Sequence, residues 1–183
     1  MPIQALCAAL PPYARDIARN LSILAEETVL SDQAKWGCFV ASAHTVAEPL
    51  TLRAIDATAE AAGLSEKAFE AARTASAVMA MNNTYFRALH LMSAAEYRAL
   101  PSRLRMNRLS DPGAPAVDYE LWSLAASAIN GCGACLDSHE AELRARGVTP
   151  LQAQAALRIA AVVNAVGRVM AAESAANPQK WGV

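Results

Sequence analysis

Aromatic residues, glycine and proline are all scarce in this 183-residue sequence, at 5% aromatics, 8 glycines and 9 prolines. So few aromatics argue against the strand-rich, aromatic-packed core of a β-sandwich. Alanine, by contrast, occurs 43 times, and it has the highest helix propensity of all residues. Apolar residues make up 54% and charged residues 18%, a balance typical of a globular chain. We therefore predict an all-α protein of one domain.

The sequence also lacks a run of basic residues, a long uncharged apolar stretch and a secretory signal. The net charge is −1 at pH 7, which gives no electrostatic footprint for nucleic acid. The most apolar stretch, 159–170, is interrupted by Asn164 and Arg168, which argues against a membrane-spanning helix. The N-terminus shows no basic segment followed by an apolar run. We expect a cytoplasmic protein with no nucleic-acid or membrane partner, in which structural disulfides are rare.

Capping residues, glycines and prolines divide the chain into predicted helices. These are expected at about 1–12, 13–29, 33–46, 52–62, 66–92, 118–130, 132–146 and 150–175. Pro49 is expected to end the third helix and Asp118 to cap the sixth.

A weak internal similarity suggests two related helical units. The segment that starts at Trp36 resembles the segment that starts at Trp122, about 86 residues later. The proline-rich stretch 100–116 would then link possible halves 1–100 and 117–183 of the domain. Alanine-rich helices also resemble one another by composition alone, which is the alternative explanation.

The residues with the most distinctive chemistry lie between Ser127 and Gly147. Cys132, Cys135 and His139 recur at i, i+3 and i+7, so they share one face of a helix. Two thiols at this spacing can form a reversible disulfide. Cys132, in the first turn, meets free backbone N–H groups and the positive end of the helix dipole, which favour a thiolate. Cys135 has an imidazole within reach to take its proton.

The cysteines also allow other interpretations. A zinc site needs about four ligands, and this helix supplies three with no second Cys or His pair elsewhere. Covalent haem attachment requires a histidine where Leu136 stands, so it is excluded. Two inert core cysteines form the remaining alternative. Structural roles are expected for the other candidates: Cys7 and Cys38 as buried inert thiols, His44 and His90 as surface or core polar residues, and Met79 and Met81 as packing.

Glu120 adds a carboxylate near the start of the preceding helix. If the two helices form a hairpin hinged at Asn130, Glu120 meets the second helix about three turns along. His139 lies two turns along, so a contact between the two side chains is allowed but not assured. A solvated first-turn glutamate that interacts favourably with the helix dipole is the alternative.

Several motifs together match one known family. They are Glu120-Leu-Trp-Ser, Ser127-Ala-Ile-Asn-Gly-Cys, Cys135-x3-His139-Glu140, Ala8-Ala-Leu-Pro-x-Tyr-Ala-x-Asp16, Val29-Leu30 with Trp36-Gly37, Met79-x-Met-Asn-Asn83 and Leu104-Arg-Met-Asn107. With them, nearly the whole sequence resembles the alkyl hydroperoxide reductase AhpD proteins of the carboxymuconolactone decarboxylase-like superfamily. The resemblance implies an all-helical homotrimer in antioxidant defence.

The resemblance also implies an activity. Family members use the Cys-x2-Cys pair to reduce a partner peroxiredoxin, AhpC, and show weak peroxidase activity of their own on alkyl hydroperoxides. Their electrons come from dihydrolipoamide on a dihydrolipoamide acyltransferase, which lipoamide dehydrogenase and NADH reduce again, and no cofactor is bound. Two other classes of function remain open: a lyase of the carboxymuconolactone decarboxylase kind, which needs no redox thiols, and a non-catalytic assembly module.

The family pattern assigns a role to each site residue. It implies that Glu120 is the general base and His139 the proton relay for Cys135, which forms the sulfenic acid, and that Cys132 donates a proton and closes the disulfide. The helix dipole alone favours Cys132 as the more acidic thiol. The family assignment is preferred, because a nearby base can move a proton during turnover. Ala134 stands where well-known members carry a histidine, so a neighbouring imidazole is missing.

Overall fold

Helices account for all the regular structure in the described residues, 2–106 and 112–181, of this computed structural model. The α-helices are α1 (Ile3–Ala9), α2 (Arg15–Glu26), α3 (Asp32–Val46), α4 (Pro49–Ala61), α5 (Glu66–Leu91), α6 (Glu96–Ala99), α7 (Ala116–Asn130), α8 (Gly133–Ala145), α9 (Pro150–Ala176) and α10 (Pro178–Trp181), with a short 3-10 helix at Pro12–Ala14. The predicted all-α class is confirmed. Asn107, the last residue of one family motif, lies outside the described residues, as does the middle of the predicted linker 100–116.

Three helix starts follow from local capping by Ser and Thr side chains. Ser31 and Ser65 each accept a hydrogen bond from the backbone N–H three residues on, at the starts of α3 and α5. Thr149 and Gln152 form a reciprocal capping box at the start of α9. These side chains satisfy donors that a helix leaves unpaired, so local sequence sets where α3, α5 and α9 begin.

Two predicted boundaries were wrong. Pro49 does not end α3 but opens α4, because a first-turn proline has no N–H to leave unpaired. The third helix ends at Val46, followed by Ala47 in the left-handed conformation at φ 59°. Asp118 does not cap α7, which begins two residues earlier; its Oδ2 instead accepts a hydrogen bond from Gln33 Nε2 at 2.7 Å.

The core lies where α3, α5, α7 and α9 meet. Trp122 of α7 is fully buried there, and its Nε1 donates to the carbonyl oxygen of Ala34 at 3.0 Å. Gly37 lies against the same ring: a Cβ at that position would come 2.1 Å from Trp122 Cε2. Only glycine therefore allows α3 and α7 to approach this closely.

The longest helix, α9, is apolar enough by length and composition to cross a membrane. It packs against α2, α3 and α7, and 44% of its most apolar window is buried inside the protein. Its buried residues include Ile159, Val163 and Met170, at the helical spacing of a core-facing stripe. This stripe is the face by which α9 joins the core.

The helix order repeats along the chain. The helices α3, α4 and α5 begin at Asp32, Pro49 and Glu66, and α7, α8 and α9 begin at Ala116, Gly133 and Pro150, each 84 positions later. The left-handed residues between them repeat in the same register, with Ala47 matching Gly131 and Gly63 matching Gly147.

The repeat supports two similar helical units but corrects their alignment. The predicted match of Trp36 with Trp122 is two residues out of register, and Trp36 corresponds in place to Glu120. Glu48 caps α4 where Cys132 precedes α8, and its carboxylate accepts hydrogen bonds from the N–H groups of Leu50 and Thr51. The first unit therefore places a capping carboxylate where the second places a thiol.

Candidate active site

The site is built on the turn between α7 and α8. Gly131 follows α7 in the left-handed conformation, at φ 67°, which glycine adopts without steric cost. Cys132 is then the N-cap residue of α8 and Cys135 its third residue. Cys132 therefore precedes the first turn in which it was predicted, and it stays next to the unpaired N–H groups at the helix start.

Cys132 and Cys135 are joined by a disulfide, with 5.3 Å between their Cα atoms. The pair that the sequence predicts is thus formed. The two sulfurs differ in access: Cys132 is fully buried, whereas Cys135 is 8% exposed and lines a cavity. A small molecule or a partner's thiol can approach Cys135 from that cavity.

Glu120 and His139 form the second part of the site. The hairpin of α7 and α8 brings Glu120 Oε2 to 2.7 Å from His139 Nδ1, and both side chains are more than three-quarters buried. Of the two alternatives for Glu120, the structure thus shows the partnered carboxylate. The other ring nitrogen, Nε2, lies 3.3 Å from the sulfur of Met79. Both nitrogens of His139 are therefore engaged by groups other than Cys135.

The contact with Met79 constrains the protons of the imidazole. A thioether sulfur is a weak acceptor and cannot donate, so His139 Nε2 best meets it as an N–H donor. Glu120, when ionised, is likewise an acceptor only. Both neighbours of the ring are therefore hydrogen-bond acceptors, which fixes the orientation of the imidazole.

The cavity beside Cys135 has a volume of about 500 Å³ and lies between α5, α7 and α8. Its lining combines apolar and polar side chains: Met79, Asn82, Phe86, His90, Met106, Glu120, Ala134, Cys135, Ser138, His139 and Glu142. A volume of this size suits a small organic molecule or an extended side chain. The disulfide, the carboxylate and the imidazole all border one space.

A buried amide network supports the site from behind. Asn83, fully buried on α5, donates to Ser127 Oγ at 2.9 Å and accepts from Asn130 Nδ2 at 3.0 Å. Its Nδ2 also lies 3.8 Å from the sulfur of Met79. Met79 was predicted only to pack, and Asn83 was given no role of its own. The motif Met79-x-Met-Asn-Asn83 was the signal that both residues lie near the site.

The aromatic neighbour of Glu120 stays uncharged. Burial raises the pKa of Tyr119 to about 12, and the charge of Glu120 contributes a smaller share in the same direction. Tyr119 is therefore a neutral phenol at any pH at which the site works. It adds no negative charge beside Glu120.

The remaining candidates lie apart from this cavity or at its edge. Cys38 is fully buried, and its pKa is raised by burial and to a smaller degree by the charge of Asp118. Cys7 is partly buried, with its sulfur 3.4 Å from Ser22 Oγ. His44 Nε2 lies 3.1 Å from Asp56, a partner that its sequence neighbours did not suggest.

His90 lies at the edge of the cavity, exposed, with its Nδ1 3.0 Å from the carbonyl oxygen of Phe86. Within the part of the chain that the structure describes, no group of three or more His, Cys, Asp or Glu side chains is placed to hold a metal ion.

Comparison with known proteins matches this site to a family. The model of the carboxymuconolactone decarboxylase family matches residues 95–178, which include the helices that carry the disulfide, Glu120 and His139. The chain is 63% identical over 179 residues to alkyl hydroperoxide reductase AhpD of Caulobacter vibrioides, covering 98% of each chain. It is 58% identical over 175 residues to the protein of that name from Hyphomonas neptunium, covering 96% of this chain and 97% of the relative.

Fold and site together define an all-helical protein with a Cys-x2-Cys disulfide at the start of a helix, whose residues 95–178 match the carboxymuconolactone decarboxylase family. Within that class, identity and coverage at these levels place the chain more narrowly. The protein belongs to the alkyl hydroperoxide reductase AhpD family, which confirms the resemblance drawn from its motifs.

Proposed function

We propose that the protein is a cytoplasmic antioxidant dithiol oxidoreductase whose Cys132–Cys135 pair reduces a peroxiredoxin of the AhpC type and, more weakly, alkyl hydroperoxides. Its electrons come from dihydrolipoamide on a dihydrolipoamide acyltransferase, served by lipoamide dehydrogenase and NADH, and it acts as a homotrimer without a bound cofactor. The observation that carries this proposal is the disulfide at a cavity that also contains the hydrogen-bonded Glu120–His139 pair.

The difference in burial between the two cysteines supports different roles for them: Cys135 as the attacking thiol and Cys132 as the resolving thiol. Cys135 borders the cavity, so its thiolate is the sulfur that an incoming peroxide or disulfide can reach. Cys132 is fully buried and next to Cys135, so it acts as the resolving thiol. Glu120 and His139 take the proton of Cys135, through movement of the imidazole or through water, because the disulfide form directs both ring nitrogens elsewhere.

The peroxidase step then balances as follows. The Cys135 thiolate attacks the terminal oxygen of the hydroperoxide, an S–O bond forms, and the O–O bond breaks with its electron pair on the alkoxide. The Cys132 thiol protonates that alkoxide to the alcohol. The Cys132 thiolate attacks the sulfenic acid on Cys135, and the hydroxide leaves as water with the proton held by Glu120 and His139. Two sulfurs are oxidised and one peroxide is reduced.

Dihydrolipoamide then reduces the disulfide by two thiol–disulfide exchange steps. A thiolate of dihydrolipoamide attacks Cys135, the sulfur at the cavity, and Cys132 leaves as a thiolate that takes a proton. The second thiol of the reductant then attacks the mixed disulfide, releasing oxidised lipoamide and the Cys135 thiolate. The cavity of about 500 Å³ is large enough for the eight-carbon lipoyl chain to approach.

Ala134 is the main departure from the family pattern. It lines the cavity at the second position of α8, where a histidine would place an imidazole beside the two sulfurs. An alanine can neither tune the thiols nor move a proton. The Glu120–His139 pair is therefore the site's source of base catalysis in this proposal, and replacing Ala134 with histidine is expected to raise turnover.

A lyase of the carboxymuconolactone decarboxylase kind is the second candidate, since that family's model matches residues 95–178. The two proposals differ in their need for sulfur. An oxidoreductase must lose two thiols reversibly on mild oxidation, with one disulfide formed, whereas a lyase need lose none. Thiol titration before and after a mild oxidant separates the two.

The decisive experiment is peroxide-dependent NADH oxidation in a mixture of lipoamide dehydrogenase, a lipoyl-bearing acyltransferase, AhpC-type peroxiredoxin and this protein. We expect Cys132→Ser and Cys135→Ser each to abolish NADH oxidation, because disulfide exchange needs both sulfurs. Cys7→Ser is the matched control and is expected to stay within about twofold of wild type, because a thiol outside the site contributes no chemistry. Full turnover by either site variant would refute the dithiol mechanism.

A further inference from the structure

The polar side chain of Asn82 lies in the cavity and takes no part in the proposed chemistry. Asn82 of α5 is 6% exposed and lines the cavity beside Cys135. Among the described residues, its Oδ1 is buried with no hydrogen-bond partner. The other atoms in that state belong to residues outside the lining of this cavity: Ser42, Tyr119, Ser123 and Ser174.

An unpaired buried amide is costly, since desolvation without a hydrogen bond costs about 1–3 kcal/mol. Native proteins keep few such groups, and each calls for a reason. Since Asn82 lines the cavity while its Oδ1 is enclosed, we place Nδ2 at the cavity surface. No hydrogen bond is described for Nδ2 either, so it can donate to a ligand in the cavity.

The position of Asn82 along α5 sets it level with the disulfide. Met79 contacts His139 on α8, and Arg87 donates to the carbonyl oxygen of Asn130 at the end of α7. The helix α5 therefore runs past the start of α8 in the opposite direction. Asn82 lies one turn beyond Met79, about 4.5 Å along the axis, between those two contacts.

We propose that Asn82 is a substrate-binding residue that donates from Nδ2 to the hydroperoxide oxygen that leaves as the alcohol. This inference rests on the proposed function, in which Cys135 attacks the terminal oxygen and the inner oxygen gains negative charge. A donor fixed at that oxygen stabilises the charge as it develops. The alkyl group then lies against Met79, Phe86 and Met106, the apolar part of the lining.

The test compares Asn82→Leu, which removes the donor at similar volume, with Asn82→Asp, which keeps the shape but has no amide donor. Each pre-reduced protein is mixed with cumene hydroperoxide, and the second-order rate of disulfide formation is measured. Each oxidised protein is mixed with dihydrolipoamide in a separate experiment. Asn20→Leu, at an exposed position on α2, is the matched control.

We expect both Asn82 variants to react with cumene hydroperoxide about tenfold or more slowly, the effect of losing a hydrogen bond to a charged group. In Asn82→Leu, reduction by dihydrolipoamide should slow much less than oxidation by the peroxide, because the leaving group in that step is the sulfur of Cys132, which does not line the cavity. The melting temperature of Asn82→Leu should equal or exceed that of wild type, because an unpaired buried polar group is replaced by an apolar one.

Three results would overturn the inference. Unchanged peroxide rates in both variants would remove Asn82 from the site. Equal slowing of both half-reactions with a lower melting temperature would show a purely structural role. If wild type cycles with dihydrolipoamide but does not react with cumene hydroperoxide, the Asn82 inference fails while the dithiol function stands; if wild type does not cycle at all, the proposed function itself fails.

Discussion

The carboxylate of Glu120 on α7 lies 2.7 Å from the imidazole Nδ1 of His139 on α8, across the same hairpin that holds the disulfide. Both side chains are largely shielded from water, so their hydrogen bond is worth more than one at the surface. The pair links α7 to α8. The disulfide and this pair border the same cavity, which makes their joint action testable.

Glu120→Gln should lower dihydrolipoamide-driven turnover by about 10² to 10⁴, the usual contribution of positioned proton transfer. The amide keeps the shape but cannot accept a proton. The deficit should shrink as the pH rises towards about 8.5, the pKa of a free cysteine, because thiolate then forms without a base. A pH–rate profile between about pH 6 and 9 measures both effects.

Glu140→Gln, at the exposed residue next to His139, is the control for this series and should match wild type. Overlapping profiles for wild type and Glu120→Gln would show that the Glu120–His139 hydrogen bond is structural only.

Met79→Leu should lower turnover about threefold to tenfold, the effect of losing one weak hydrogen bond, here from His139 Nε2 to the sulfur. The substitution conserves volume, so the free energy of unfolding should change by less than about 1.5 kcal/mol. The measurement is steady-state kinetics across pH combined with urea unfolding. Met81→Leu, two residues along α5, should change neither quantity. A normal pH–rate profile for Met79→Leu would contradict a positioning role for the sulfur.

Gly37→Ala should destabilise the fold by about 1–3 kcal/mol, because the new Cβ meets the ring of Trp122 and a packed core resists overpacking. Trp122 is on α7 with Glu120, so activity should fall as well. Urea unfolding followed by tryptophan fluorescence measures the change in the free energy of unfolding. The same substitution at Gly133, where a Cβ would meet nothing within 4 Å, should leave stability unchanged or slightly higher. Equal stability of the two variants would disprove the close approach of α3 and α7.

Cys38 should resist alkylation by iodoacetamide in the folded, reduced protein up to about pH 9, because its raised pKa and burial leave no accessible thiolate. Cys135 should be labelled under the same conditions, and mass spectrometry distinguishes the two.

The raised pKa of Cys38 also affects stability. Folded Cys38 keeps its proton, whereas the unfolded chain loses it above about pH 8.5. The unfolding free energy of wild type should therefore fall relative to Cys38→Ala as the pH rises beyond that value. Labelling of Cys38 without denaturant would refute its burial.

Much of the secondary structure could be predicted from local sequence. Ser31, Ser65 and Thr149 cap α3, α5 and α9 through residues only three positions away, so these helix starts depend on local sequence. The errors arose where a residue had two local uses. Pro49 can follow a helix or begin one. Asp118 can cap a helix or accept a hydrogen bond from Gln33 on α3. In both cases the tertiary structure decides which of the two occurs.

Some features of the site follow from local sequence and others only from tertiary structure. Sequence spacing by itself determined that Cys135 and His139 lie one turn apart on a helix, with Cys132 next to its start, and that the two thiols can pair, because helix geometry is local. Tertiary structure alone decided that Glu120 contacts His139, that Met79 contacts the other ring nitrogen, and that Asn82 lies in the cavity. Those contacts join α5, α7 and α8, residues up to 60 positions apart, and they depend on how the helices pack. No local rule specifies that packing. It is set by contacts between helices, such as the close approach of Gly37 on α3 to Trp122 on α7.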